Sequence, residues 1–264
     1  MSDGDLMRKI VVLLISLMLV LSIVASTGFI TFAYASKPED APPQLEKRVF
    51  IHFRRGFGKP DGTPGRGPPP KEDGHSDHYA LLGKGVKWKT TAIIYIDPDN
   101  SQGLSEDFIV DAIRIAAEEW DDGAYSKWGG VDMNLFDGYY IIHDATFDTD
   151  SPDGRNEILF GDYPQEEVIA VTVVWGYFSG PPGQREIIEF DIMFDTDYIW
   201  GDATADPTVM DLQNIATHEL GHGAGLDDIY DCELETMYGY SYYGEIIKRD
   251  LCEGDIAGIQ ELYG

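Results

Sequence analysis

Five stretches carry the apolar pattern of strands: "KTTAIIYID" (89–97), "GYYIIHDATF" (138–147), "NEILFG" (156–161), "VIAVTVVWGYF" (168–178) and "IIEFDIMFD" (187–195). Gly, Pro, Asn and Asp separate them, as turn residues do. Between the first two, "LSEDFIVDAIRIAAEEWDD" (104–122) places Phe108, Ile109, Ala112, Ile113, Ala116 and Trp120 at helical spacing. Ser105 is its expected N-cap, because the hydroxyl accepts an otherwise unpaired first-turn N–H. A second helix is expected over "VMDLQNIATHELGHGAG" (209–225), with Asp211 near its start and Gly223 and Gly225 available to end it. The closing "EGDIAGIQELYG" reads as a third helix. Strands first, then helices, predict an α+β fold, and no internal repeat is visible.

The first 35 residues have another character. Arg8 and Lys9 precede the apolar run "IVVLLISLMLVLSIVASTGFI", which leads to the small residues Ala33–Ala35. A positive start, an apolar stretch and a small-residue site describe an export signal over residues 1–35. Uncleaved, residues 10–30 would be long enough for an anchor. Either outcome places the remainder outside the cytoplasm, secreted or held at the membrane by that segment alone. Residues 36–85, rich in Pro, Gly and charge, read as a linker or pro-segment with little to bury. The folded domain is expected over 86–264.

Charge narrows the function. The chain has 19 basic and 47 acidic residues, a net charge of −28, with the excess acid lying after residue 85. Nucleic-acid binding needs a basic face and is excluded as an expectation. Loops dense in carboxylates, "DATFDTDSPDGRN" (144–156) and "DIMFDTDYIWGDATAD" (191–206), suit calcium (Ca2+) in an exported protein. Two cysteines, Cys232 and Cys252, form an even pair that an oxidising compartment would join as a disulfide.

The candidate chemistry lies in "ATHELGHGAGLDD" (216–228). Residues i and i+4 share one face of a helix, so His218 and His222 can hold one ion together. Glu219 then flanks the ion rather than binding it, placed to take and return a proton. Gly225 permits a sharp turn, which brings Asp228 back as a third ligand; Asp227 is one residue short of that spacing. Three protein ligands and an open fourth place are what a catalytic zinc (Zn2+) requires.

With these residues the chain resembles the metzincin metallopeptidases, in particular the matrixin-like branch, over roughly 86–264. Met237 in "ETMYGY" stands where that family places its Met-turn, and Asp255 in "GDIAGIQELYG" resembles the acid that ties the C-terminal helix to it. The resemblance implies a zincin-like catalytic domain: a twisted mixed sheet, a long N-terminal helix, the zinc-motif helix and a C-terminal helix. It implies a monomeric zinc endopeptidase whose substrate lies extended along an edge strand within 168–178. The segment "YGYSYYGEII" (238–247) would line an apolar or aromatic side-chain pocket. Asp195 keeps an expected calcium position. The chain departs from the pattern in five ways: aspartate as third ligand, no latency cysteine in 36–85, Met193 where the family has a histidine for a second, structural zinc, Tyr198 in place of the acid three residues after Asp195, and Gly239 where related branches carry a metal-facing tyrosine. His75, Asp77 and His78 are the polar residues that could reach the zinc instead of that cysteine. From another class, a surface-anchored adhesion module with a vestigial metal site is the alternative; the presence of Glu219 speaks against it.

Overall fold

A computed structural model describes residues 43–56, 77–123 and 134–264; the export segment expected over 1–35 lies outside these residues. The strands, in chain order, are β1 (Glu46–Arg54), β2 (Ala80–Leu81), β3 (Ala92–Ile96), β4 (Phe136–Ile141), β5 (Asn156–Gly161), β6 (Val168–Tyr177), β7 (Glu186–Asp195), β8 (Trp200–Gly201), β9 (Met210–Asp211), β10 (Leu226–Asp227) and β11 (Tyr240–Ser241). Helix α1 spans Glu106–Glu118, α2 Leu212–Ala224 and α3 Glu253–Tyr263. The expected α+β class and the mixed sheet are present. Seven strands form one sheet in the order β11-β1-β6-β7-β5-β3-β4. Strands β4, β3, β5 and β7 run parallel, β6 runs antiparallel to β7, and β1 antiparallel to β6.

Local sequence explains the helices. Ser105 caps α1, its hydroxyl accepting the Phe108 N–H at 3.3 Å, a contact of about 1 kcal/mol. Ile109, Ala112, Ile113 and Ala116 form the buried face of α1 against α2 and the sheet. Trp120 is fully buried and donates its indole N–H to the Thr217 carbonyl of α2 at 2.7 Å, locking the two helices together. Asp211 caps α2 by accepting the Asn214 N–H at 2.9 Å, and the Arg249 guanidinium holds the same carboxylate.

Gly225 ends α2 with φ +110°. L-residues rarely adopt that conformation, and an added Cβ would press on the Val86 carbonyl and Leu262 at 3.1 Å each. Gly225→Ala is therefore expected to destabilise by about 1–3 kcal/mol and to weaken zinc uptake, because the turn aims Asp228. Urea melts and a zinc titration measure both; an unchanged midpoint would remove the backbone argument.

Two expectations are corrected. Strand β1 falls inside residues 36–85, where composition gave only a linker or pro-segment; Glu46–Arg54 instead pairs along β6 from Glu46↔Gly176 to Phe53↔Val168. These residues belong to the same compact unit as the rest, Pro38–Gly264. The run "RVFIHF" supplies the β-favouring side chains, and the flanking Pro/Gly-rich sequence hid it. Second, Cys232 and Cys252 form no disulfide. Hydrogen bonds from the Cys252 and Thr236 N–H groups to Asp255 tie this corner of the chain instead.

Candidate metal centre

Helix α2 is buried nearly all round, so its imidazoles sit in low dielectric. His218 donates from Nδ1 to the Thr236 carbonyl at 2.7 Å, and His222 from Nδ1 to the Leu226 carbonyl at 3.0 Å. Such bonds fix the tautomer and leave each Nε2 as a lone pair. Burial lowers both basicities, His222 to about 4 and His218 well below the usual range, so both rings are neutral.

Asp228 Oδ1 lies 3.2 Å from His218 Nε2 and 3.6 Å from His222 Nε2. All three are acceptors, and both His218 Nε2 and Asp228 Oδ1 are buried without a hydrogen-bond partner. Acceptors do not converge in a protein interior unless a cation joins them. Ligands about 2.0–2.2 Å from one tetrahedral ion lie about 3.4 Å from each other, which matches these separations. The residues present thus fit zinc. Asp227, the neighbouring alternative, lies in β10 and spends one oxygen on the Asp228 N–H at 2.8 Å. It is not in the group His218, His222 and Asp228 whose ligand atoms converge.

The surroundings hold this group from several elements. Tyr230 donates its hydroxyl to Asp228 Oδ2 at 3.2 Å. Its ring sits where a side chain at Gly239 would collide with it, an added Cβ lying 2.6 Å from Cε1; glycine there makes room for Tyr230. Met237 is fully buried beneath the site. Asp255 accepts the N–H groups of Thr236 at 2.7 Å and Met237 at 3.0 Å, so it fixes the turn whose carbonyl orients His218. Glu235 accepts the Gly254 and Asp255 N–H groups at 3.0 and 3.1 Å. Burial and the Asp255 charge push the Glu235 carboxyl up to about 8.

Glu219 is fully buried beside the metal group. The Thr172 hydroxyl donates to its Oε2 at 2.5 Å, and His52 Nδ1 lies 2.9 Å from its Oε1. Burial pushes this carboxyl up to about 8, opposed by the Thr172 bond. His52 and Thr172 were invisible to sequence reasoning: one lay in the presumed linker, the other in an apolar strand. Alternation along "FIHF" is the one signal that marks His52 as facing inward with Phe50.

Further expectations meet the structure here. Strand β6 was expected at a sheet edge, but β1 covers it. In the segment expected to line an apolar or aromatic pocket, Ser241 and Glu245 are buried polar residues that, with Lys248, lie around His52. Two tyrosines of that segment, Tyr238 and Tyr240, pack on each other and on Tyr230, with ring centroids 5.3–6.5 Å apart. His78, named as a residue that could reach the zinc, bonds Asp231 at 3.3 Å; His75 lies outside the described residues. Asp195 does lie in an acidic group, with Asp162 and Asp197. A second group, Asp148, Asp153 and Glu189, draws on the 144–156 loop.

Parts of the chain are similar to known proteins. Residues 176–264 match the family model described as Matrixin. The chain is 35% identical over 94 residues to interstitial collagenase of Oryctolagus cuniculus, covering 33% of this chain and 19% of the relative. It is 37% identical over 76 residues to metalloendoproteinase 1 of Glycine max, covering 27% and 24%. Matrix metalloproteinase-16 of Homo sapiens aligns over 198 residues at 28% identity, covering 70% and 28%. The chain thus spans less than a third of the length of these relatives.

Proposed function

We propose that this matrixin-like chain is an exported zinc-dependent endopeptidase, with His218, His222 and Asp228 as metal ligands and Glu219 as the proton carrier. One observation carries the reading: two neutral imidazole lone pairs and a carboxylate oxygen converge in the interior with no donor between them. When bound, zinc supplies Lewis-acid polarisation of water and of a peptide carbonyl. The chain's own residues do the rest. Glu219, buried and pushed toward neutrality, holds a proton at Oε1 or releases it within the working pH range. Thr172 keeps the carboxylate aimed by binding the other oxygen. The Thr236 and Leu226 carbonyls hold the imidazoles in register, and Tyr230 does so for Asp228. Phe50 stacks on the His222 ring at 3.9 Å and excludes water from that side.

Export rests on the apolar run after Arg8 and Lys9; among the described residues no helix is long and apolar enough to cross a membrane. The test is metal analysis with cleavage of an unstructured peptide. Purified protein is expected to hold one zinc per chain, to lose cleavage with a chelator and to regain it with added zinc. Folded protein that takes up no zinc would overturn the reading.

Calcium is part of the proposal at Asp195 with Asp162 and Asp197. Asp195 is buried, its Oδ2 has no hydrogen-bond partner, and burial raises its basicity. Millimolar calcium is expected to raise the melting temperature by several degrees, as ligand binding to the native state does. EGTA should reverse the shift, and Asp195→Asn should lose most of it.

A further inference from the structure

Asp228 differs from an imidazole at the same position in one chemical respect. An imidazole offers a metal one nitrogen, whereas a carboxylate has two oxygens and can bind through one or both. A third ligand that chelates through both oxygens crowds or fills the fourth place that a catalytic zinc keeps open for water. The two oxygens of Asp228 have different surroundings. Oδ1 lies 3.2 Å from His218 Nε2 and 3.6 Å from His222 Nε2, and it has no hydrogen-bond partner. Oδ2 accepts the Tyr230 hydroxyl at 3.2 Å.

The phenol is held from several sides. Ile229, between the two residues, is strapped to the segment that follows Thr236. Its N–H donates to the Met237 carbonyl at 2.9 Å, and its carbonyl accepts the Gly239 N–H at 3.0 Å. The backbone that carries Tyr230 is thus pinned to the same turn whose Thr236 carbonyl orients His218. The Tyr230 ring packs edge-on against Tyr240 and Tyr238, with centroids 5.3 and 6.5 Å away. On a further side stands Gly239. The three atoms that a Cβ there would meet first all belong to Tyr230: Cε1 at 2.6 Å, and Cζ and the hydroxyl oxygen at 2.8 Å. Gly239 does not have a left-handed φ, so space and not conformation calls for glycine. A larger residue would press the phenol away from its seat.

We propose that Tyr230 is a positioning residue that restricts Asp228 to ligation through Oδ1 alone, so that the fourth place at the metal stays open, and that Gly239 is the space this phenol needs. A hydrogen bond to the outer atom of a ligand is a general means of fixing that ligand's orientation. The role of Tyr230 rests on the reading of His218, His222 and Asp228 as a zinc centre, and not on what that centre cleaves.

Cobalt(II) in place of zinc makes the site visible, and azide, a small anion that enters an open place at cobalt, titrates it through the absorption spectrum. The full-length chain is compared as wild type and as Tyr230→Phe, which deletes the hydroxyl and keeps the ring. The variant is expected to keep the wild-type melting temperature and to bind cobalt at least as tightly, because both Asp228 oxygens then reach the metal. It should need at least about tenfold more azide than wild type for the same spectral change. For an unstructured peptide, kcat should fall at least about tenfold with KM unchanged. Gly239→Ala, which crowds the ring, should weaken azide binding in the same direction. With Asp228→His as the parent, adding Tyr230→Phe should leave azide binding unchanged, since an imidazole has no second oxygen to restrain. Tyr230→Phe that takes azide as readily as wild type overturns the inference, and so does a wild-type spectrum that azide does not alter. Cobalt binding weakened about tenfold or more in Tyr230→Phe would mark a tyrosine that merely supports the loop, and overturns it too. Equal loss of azide binding in the Asp228→His parent does the same. Wild-type protein that takes up neither cobalt nor zinc overturns the zinc centre itself. Chains that respond to azide as expected but cleave nothing uphold the role of Tyr230 and overturn the peptidase reading instead.

Discussion

Glu219→Ala is expected to lower peptide cleavage by about a hundred- to ten-thousand-fold, the span that a positioned proton carrier contributes, while zinc content should stay at the wild-type value. The separation follows from geometry. Glu219 does not belong to the converging trio His218, His222 and Asp228; its oxygens face Thr172 and His52. Removing it deletes a proton site and leaves the ligand atoms with their own supports, the Thr236 and Leu226 carbonyls and Tyr230. Glu219→Gln is the sharper probe, because the amide keeps the shape and can still accept from Thr172 but cannot take up a proton. Its rate should fall about as far as that of the alanine variant. Rates from a fluorogenic peptide and zinc by atomic emission, on the same preparations, decide the matter. A glutamine variant that cleaves like wild type rules out proton transfer through this side chain.

The convergence of His218, His222 and Asp228 was legible because it is local. His218, His222, Gly225 and Asp228 fall within one helix end and one turn, so spacing alone brings them together. Strands and helices that bury a continuous apolar face, such as β6, β7 and α1, were legible for the same reason. Boundaries moved where sequence and structure weigh different things. "GYYIIHDATF" reads as a strand through residue 147, but pairing with β3 ends at Ile141. Beyond it, the Ala145 and Thr146 N–H groups donate to the Asp97 and Glu157 carboxylates instead of to a strand.

What escaped the sequence is what long-range contact creates. His52 meets Glu219 across 167 positions, and Lys248 meets His52 across 196. No periodicity carries that information. Composition actively hid β1: proline and glycine on either side set the average, while the strand itself, "EKRVFIHFR", has a β-forming centre. The tyrosines of 238–243 misled in the other direction. Their rings suggested an apolar pocket, but Tyr238 and Tyr240 pack with Tyr230, Tyr243 packs on Tyr198 and Tyr242 is exposed, while the buried polar cluster around His52 takes its character from Lys248, which nothing in the sequence marks as buried. A lone lysine is expected in solvent; here carbonyls, a serine hydroxyl and Glu245 surround it.

Asp255→Ala is expected to be the most destabilising single change in the C-terminal region, by about 3–5 kcal/mol, because three buried N–H groups lose their acceptor at about 1–3 kcal/mol each. Asp255 is fully buried and accepts three backbone N–H groups, from Thr236, Met237 and Cys252. Alanine leaves all three without partners and frees the turn whose carbonyl aligns His218, so zinc affinity should fall together with stability. Asp255→Asn separates packing from charge. Glu235 lies in the same buried cluster, and its carboxyl is pushed to about 8 by burial and by the Asp255 charge. A carboxyl whose basicity rises on folding keeps a proton that the unfolded chain releases, so wild-type stability should decline as pH rises from the ordinary carboxylate range towards 8. With asparagine at 255 the charge is gone, Glu235 returns towards its ordinary range, and that decline should become shallower. Melting temperatures from pH 4.5 to 8.5, taken in saturating zinc, test the sign: a wild type whose stability rises through this window would show that the pair is not held in a protonated form.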